Sequence, residues 1–289
     1  MGQRKKGNRM KRQRFFKTAL LVFALLILLT AGLVLDSKYH LQLTEYDLTF
    51  RKLPEGFDGC KVLQLSDLHG MAFGPGNRRL IELVRAQEPD IIVLTGDIAG
   101  KDGVLDNVEL LLSGIQGLAP TYYVNGNHEW ADGCVEEIEA LMESRGVICL
   151  SNEIELLCRG EDSIAIVGAE DPNGRADMIK PWGLSLQLGA LYSDHFSLWL
   201  AHRNDYVKMY NDIGTDLILC GHAHGGIIRL PFVGGLLNVN RSIGAEYESG
   251  VYATAHYRMV VSRGLGNSIP IPRLFNRPEV VTVTLHKEN

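Results

Sequence analysis

Lys61-Val62-Leu63-Gln64-Leu65-Ser66-Asp67-Leu68-His69 decides the fold: a short apolar run reads as a buried strand, and a cluster of polar residues begins where the run stops. The same succession recurs four times. Asp90–Thr95 runs into Gly96-Asp97, and Thr121–Val124 runs into Asn125-Gly126-Asn127-His128-Glu129. Phe196–Ala201 runs into His202, and Asp216–Cys220 into Gly221-His222-Ala223-His224-Gly225-Gly226. Helical stripes separate the early strands: Leu80, Ile81, Leu83 and Val84 within Asn77–Glu88, and Val135, Ile138, Leu141 and Met142 within Asp132–Arg145. Pro89 stops the first of these helices. Apolar strands alternating with amphipathic helices imply an α/β core covered on both faces. Ligands in such sheets gather beyond the carboxyl ends of the strands, where these clusters lie. Further strands are expected at Ile148–Leu157, Ser163–Val167, Met259–Ser262 and Val280–Leu285.

Each cluster alone has an ordinary reading as a turn, a loop or a structural histidine. Together they set Asp67, Asp97, Asn127 and up to five histidines (His69, His128, His202, His222, His224) at strand ends. Carboxylate mixed with imidazole, without thiolate, suits Mn, Fe, Zn or Co better than a structural zinc finger or a calcium loop. Seven or eight such ligands are too many for one ion. Two divalent ions sharing a bridging carboxylate are the economical solution, and such pairs, about 3.5–4 Å apart, clamp both oxygens of a displacement at phosphorus.

The order Asp-x-His, Gly-Asp, Gly-Asn-His-Glu, a lone strand-end His and Gly-His-x-His resembles the calcineurin-like metallophosphoesterase family across residues 60–226. Ile227-Ile228-Arg229-Leu230-Pro231 and the later Arg263-Gly264-Leu265-Gly266 are similar to a bacterial branch that is exported or membrane-anchored. The resemblance implies a four-layer α/β/β/α sandwich of two mixed sheets with flanking helices. It also implies that Asp67, His69 and His224 hold one metal, that Asp97 bridges, and that Asn127, His202 and His222 complete the second. His128 would act on the transition state or the leaving oxygen, and a metal-bridging hydroxide would attack a phosphodiester or pyrophosphate. Two departures stand out. Gly100 occupies a position where many relatives carry Asp, leaving Asp102 or Glu129 to orient His128. The lone histidine is followed by Arg203-Asn204-Asp205 instead of Pro-Asp, which makes Arg203 a candidate phosphate contact, with an ordinary surface arginine as the competing reading.

Ahead of this domain, Thr18–Leu35 is 18 residues without a charge, about the length that crosses a hydrocarbon core. A cleaved signal peptide has a shorter apolar region and a polar mature start, so an uncleaved anchor is favoured. The resulting division is a basic cytoplasmic tail over 1–14, a transmembrane anchor over 15–35, a connector with an edge strand over 36–59 and the metallophosphoesterase domain over 60–289. Residues 1–35 hold eight of the chain's 29 Lys and Arg and none of its 34 Asp and Glu. The positive-inside rule then puts a single-pass protein's catalytic domain on the extracytoplasmic side. The remainder, 21 basic against 34 acidic residues, argues against a nucleic-acid partner, whose phosphates are bound by Lys and Arg.

Five cysteines with no Cys-x-x-Cys suggest buried thiols, with Cys149 and Cys158 the one pair placed to bridge a hairpin. The anchor and the apolar, Gly-rich Ile227–Val239 point to a lipid-linked or cell-envelope phosphodiester, with Ile227–Val239 bordering its groove; the competing reading packs that segment as a hairpin under the sheet. A phosphomonoesterase or nuclease on the same site, and a catalytically silent metal-binding scaffold, are the alternative functions.

Overall fold

The computed structural model describes the chain except residues 1, 176, 177, 210, 211, 238–243, 245 and 289, and the side chains of 2–12, 207 and 209. In chain order the elements are α1 (Gly2–Tyr39), β1 (Gln42–Phe50), β2 (Cys60–Leu65), α2 (Arg78–Ala86), β3 (Ile91–Thr95), α3 (Asp106–Ile115), β4 (Thr121–Val124), α4 (Asn127–Asp132) and α5 (Val135–Ser144). There follow β5 (Ile148–Cys149), β6 (Glu153–Arg159), β7 (Asp162–Gly168), α6 (Pro181–Tyr192), β8 (Ser197–Leu200), α7 (Tyr206–Met209) and β9 (Leu217–Cys220). The hairpin β10 (Ile228–Leu230) and β11 (Gly234–Leu237) precedes β12 (Gly250–Ala253), β13 (Arg258–Val261) and β14 (Glu279–Lys287).

Two six-stranded sheets form the centre, ordered β1-β14-β2-β3-β4-β5 and β12-β13-β9-β8-β7-β6. Both are mixed: β2, β3, β4 and β5 run parallel, as do β7, β8, β9 and β13, while β14 opposes β2 and β6 opposes β7. The period of two in a strand sorts side chains to opposite faces. Val62, Ile91, Val93 and Tyr122 meet Leu198, Leu200, Leu217 and Leu219 between the sheets. The opposite face of the first sheet, with Leu63, Leu65, Ile92 and Leu94, is covered by Leu80, Val84, Leu111 and Ile138 of the helices. The outer face of the second sheet packs Trp199 and Ile218 against Leu184 and Leu188 of α6. The result is the expected α/β/β/α sandwich.

Several boundaries differ from the sequence reading. The helix expected over Asp132–Arg145 is preceded by the separate α4, which ends at Gly133 in the left-handed conformation (φ 68°), where a residue without Cβ stops a helix. The apolar segment lies within the much longer α1, whose preceding stretch is rich in Lys, Arg and Gln, all good helix formers. Of the eight basic side chains there, those up to Arg12 lie outside the described residues. Gln13–Tyr39 is long and apolar enough to cross a membrane, with mean hydropathy 2.8 and none of its most apolar window buried in the protein, so α1 is no core helix.

The last turn of α1 is tied to the body. Arg277 donates to both carboxylate oxygens of Asp36 at 2.8 and 2.9 Å, and the Asn276 N–H reaches the buried Ser37 hydroxyl at 3.4 Å. Ile227–Val239, whose last two residues are among those not described, folds back as β10–β11, with Phe232 and Val233 exposed at the turn instead of tucked under a sheet. Cys149 and Cys158 are both free thiols.

Candidate metal centre

The polar clusters converge because parallel strands end at the same edge of their sheets. The loops beyond β2, β3 and β4 bring Asp67, His69, Asp97, Asn127 and His128; those beyond β8 and β9 bring His202, His222 and His224. The loops are laced to each other by backbone hydrogen bonds: Asp67 N–H to Gly96 C=O, His69 N–H to Asp97 C=O, and Gly221 N–H to His202 C=O, at 2.9–3.0 Å. This lacing holds a strained backbone. Asp67, His69, Asp97, His222 and His224 all have φ between 46° and 66°, a region that costs a non-glycine residue about 1 kcal/mol or more and gathers at functional sites. Two glycines let the loops close. A Cβ on Gly126 would stand 2.2 Å from Asp97 Oδ1, and one on Gly221 would stand 2.2 Å from Asp67 Oδ2.

Two donor clusters result, Asp67–His69–Asp97–His224 and Asp97–His202–His222, each with its ligand atoms within 4.8 Å of one another. Asp97 belongs to both. His69 Nε2 faces His224 Nε2 at 3.3 Å, and His224 Nε2 lies 3.4 Å from Asp67 Oδ1. In the other cluster His202 Nδ1 donates to the Thr95 carbonyl at 2.9 Å. Its Nε2 then meets Asn127 Oδ1 at 3.1 Å, Asp97 Oδ2 at 3.2 Å and His222 Nδ1 at 3.2 Å. A single proton on Nε2 points at one of three acceptors, whereas a cation among them is shared by all.

Protonation follows burial and charge. Burial brings His69 down to about 4 and His222 to about 3, the latter aided by His202, and it holds His224 far below the ordinary histidine range. These three rings are therefore neutral at pH 7 and present lone pairs. Burial alone would raise Asp97, but His202, then His69 and His128, outweigh it and keep the carboxyl far below its usual range. His202 is the converse: burial opposes its charge, and Asp97 nevertheless lifts it to about 10. Burial raises Asp67 to about 6 against the pull of His202. His69, His222 and His224, neutral and turned on one another and on carboxylates, fit divalent cations, and the proton on His202 is the one a cation would displace.

The chain is a calcineurin-like phosphoesterase. The family model matches residues 60–226, and the relatives agree. The phosphodiesterase YaeI of Escherichia coli is 31% identical over 231 residues, covering 78% of this chain and 82% of that one. The metallophosphoesterase YkuE of Bacillus subtilis is 28% identical, with 87% of each chain covered. A bovine protein named as a transmembrane protein with a metallophosphoesterase domain is 29% identical over 95% of this chain and 63% of its own. Among solved structures, the sulfate thiohydrolase SoxB of Thermus thermophilus shares the fold at TM-score 0.51 and 15% identity, covering 81% of this chain and 57% of that one. This metallophosphoesterase is thus a metal-binding hydrolase with a helix suited to a membrane.

His128 has its backbone N–H on Asp97 Oδ1 at 2.9 Å, while its ring stands edge-on to His69, centroids 4.9 Å apart. With Asp97, Asn127, His222, His224 and Ile269 it lines a cleft of about 160 Å³. Arg203 is half-buried, and its guanidinium is engaged by Asp171 through two bonds of 2.8 and 3.1 Å.

Neither carboxylate expected to stand in at Gly100 reaches His128. Asp102 is exposed. Glu129 is buried, with Oε1 accepting from Ile98 and Ala99 N–H and Oε2 from Asp97 and Gly126 N–H, at 2.7–3.0 Å. It shapes the Asp97 loop instead. The sequence reading also passed over Glu170 and Asp171, buried just beyond β7, where Glu170 accepts from Trp130 at 2.7 Å and from Asn125 and Ser151 at 3.1 Å. The same pattern of an apolar strand followed by acids marks them. The Arg263-Gly264-Leu265-Gly266 loop braces the first cluster, its Leu265 N–H on Ser66 C=O.

Proposed function

We propose that this metallophosphoesterase hydrolyses phosphodiester or pyrophosphate bonds with two divalent ions drawn from Mn, Fe, Zn or Co. Asp67, His69 and His224 hold one ion, Asn127, His202 and His222 the other, and Asp97 lies between them. The observation that carries the reading is that the two donor clusters share one carboxylate beside a cleft open to His128. When bound, such ions supply Lewis-acid charge and bring the pKa of water towards neutrality.

The protein's own residues do the positioning. Thr95 fixes the His202 ring so that Nε2 faces the centre. Ser66 and the His222 N–H fix the Asp67 carboxylate at 2.6 and 3.1 Å. His128, held by its backbone and with no hydrogen bond to its ring nitrogens among the described residues, carries a proton to the leaving oxygen or balances charge on the phosphoryl oxygens. Arg203, locked to Asp171, adds positive charge beside His222. The diester preference draws support from the relative YaeI, which is named a phosphodiesterase. The apolar α1 and its basic flank support a single-pass membrane protein with the site on the extracytoplasmic face, and hence a cell-envelope or lipid-linked substrate. The acidic body disfavours a nuclease.

The test uses the full chain in detergent with added Mn. Bis-(p-nitrophenyl) phosphate should turn over faster than the p-nitrophenyl monoester, and chelator should stop both. A faster monoester makes this a phosphomonoesterase, and no turnover with two metals bound makes it a scaffold.

A further inference from the structure

A second cavity, of about 380 Å³, opens between α1 and the metal centre. Its lining includes Val34 and Lys38 of α1, His69 of the candidate centre, and Met71, Ile269 and Pro272. Ile269 also lines the cleft that holds His128, so the two spaces meet at one side chain. The volume falls within the range of about 300–1,000 Å³ that small-molecule sites occupy. The Asp36–Arg277 pair and the Ser37–Asn276 bond tie the last turn of α1 to the segment just after the loop that lines the groove. The groove is therefore lined both by the helix that suits a bilayer and by His69, a candidate metal ligand.

We infer that this groove binds the apolar chain next to the phosphorus of a lipid-linked phosphodiester, so that the lipid's tail stays beside α1 while its phosphate lies at the centre. This rests on the phosphodiesterase reading above and adds the site that selects the substrate. The walls match such an occupant, since Val34, Met71, Leu265, Ile269 and Pro272 give the lining an apolar part. The charged residues match it as well. Arg273 is buried and spends its guanidinium on the carbonyls of Arg263, Gly264, Gly266 and Asn276, so it acts as a brace. Lys38, which also lines the groove, lies over the Tyr39 ring at 5.1 Å, with no carboxylate partner among the described residues, and its charge suits an anionic headgroup. A soluble substrate has no use for a path that runs to the membrane helix.

The experiment compares kcat/KM for methyl and decyl p-nitrophenyl phosphate diesters, using the full chain in detergent, as wild type, Met71→Trp and Val34→Trp. Val34→Trp changes a half-exposed position on α1, so it reports even if Met71→Trp fails to fold. Wild type should favour the decyl ester by about tenfold or more, since each methylene removed from water is favourable. Filling the groove should bring that ratio near unity in a variant that keeps its bound metal. Using the ratio cancels any general change in rate, and comparing variants with wild type cancels partition of the decyl ester into micelles. Equal kcat/KM for the two esters in wild type, or a preference untouched by both variants, overturns the groove and leaves the phosphodiesterase reading intact. If wild type cleaves neither ester, the phosphodiesterase reading falls, and the substrate groove falls with it.

Discussion

The two sheets supply the centre unequally. The first provides both carboxylates, the amide of Asn127 and one imidazole of the donor clusters, His69; the second provides imidazoles alone, His202, His222 and His224. The carboxylates of the two clusters thus come from one sheet, and most of their imidazoles come from the other. Neither sheet alone closes a cluster, since each cluster takes donors from both. The consequence is that the centre depends on how the sheets dock, through the apolar layer of Val62, Val93, Leu198 and Leu219 between them. Ion binding should in turn stabilise the docked state, because a ligand that binds only the folded form adds to its stability.

The largest effect comes from breaking the one residue common to both clusters. Asp97→Ala should lose both ions and depress turnover by on the order of a thousandfold or more, the worth of several kcal/mol of charge stabilisation. His222→Ala, which touches only the second cluster, should keep one ion. Elemental analysis of the two purified variants checks this; an Asp97→Ala protein with full metal content would remove Asp97 from its place between the clusters. Next in size is His128→Ala, on the acid-rich side but outside both donor clusters. It should keep the metal and lose about 10²–10⁴ in kcat, the usual worth of a positioned proton donor. Near-normal turnover with the metal retained would end its role in the reaction.

The contrast between sheets also separates what could be read in the sequence from what could not. Every one of the eight strand-end residues singled out as a ligand or acid is found in the cluster, because each follows an apolar strand directly and parallel strands end at a common edge. Strand existence was legible for the same reason: β3, β4, β8 and β9 are short, mostly apolar and fully buried, and β2 is buried except at Lys61. Residues whose partners lie far along the chain were not. Glu129 is one residue beyond His128, and adjacency suggested that it served that ring, but its carboxylate turns back to the Asp97 loop about 30 residues earlier. Arg203 looked like a free guanidinium until β7 brought Asp171 to it. The groove at α1 was invisible for a different reason. It joins residues near 34, 71 and 270, and no local pattern links segments so distant.

The smallest of these effects is also the sharpest test of what Glu129 does. Glu129→Gln keeps the side chain's shape and can keep only one pair of its bonds. If the amide oxygen stays on Ile98 and Ala99, the NH2 group faces the N–H groups of Asp97 and Gly126, and the reverse orientation strands the other pair. Buried donors left without an acceptor cost about 1–3 kcal/mol, so the thermal midpoint should fall by several degrees. Metal affinity should fall with it, because the loop that loosens is the one carrying Asp97. Catalysis per bound metal should change little, since the Glu129 carboxylate makes no contact with the His128 ring. The opposite pattern, an unchanged midpoint and metal content with a slower rate, would mean that Glu129 orients His128 after all, and that the gap at Gly100 is filled from within the first sheet.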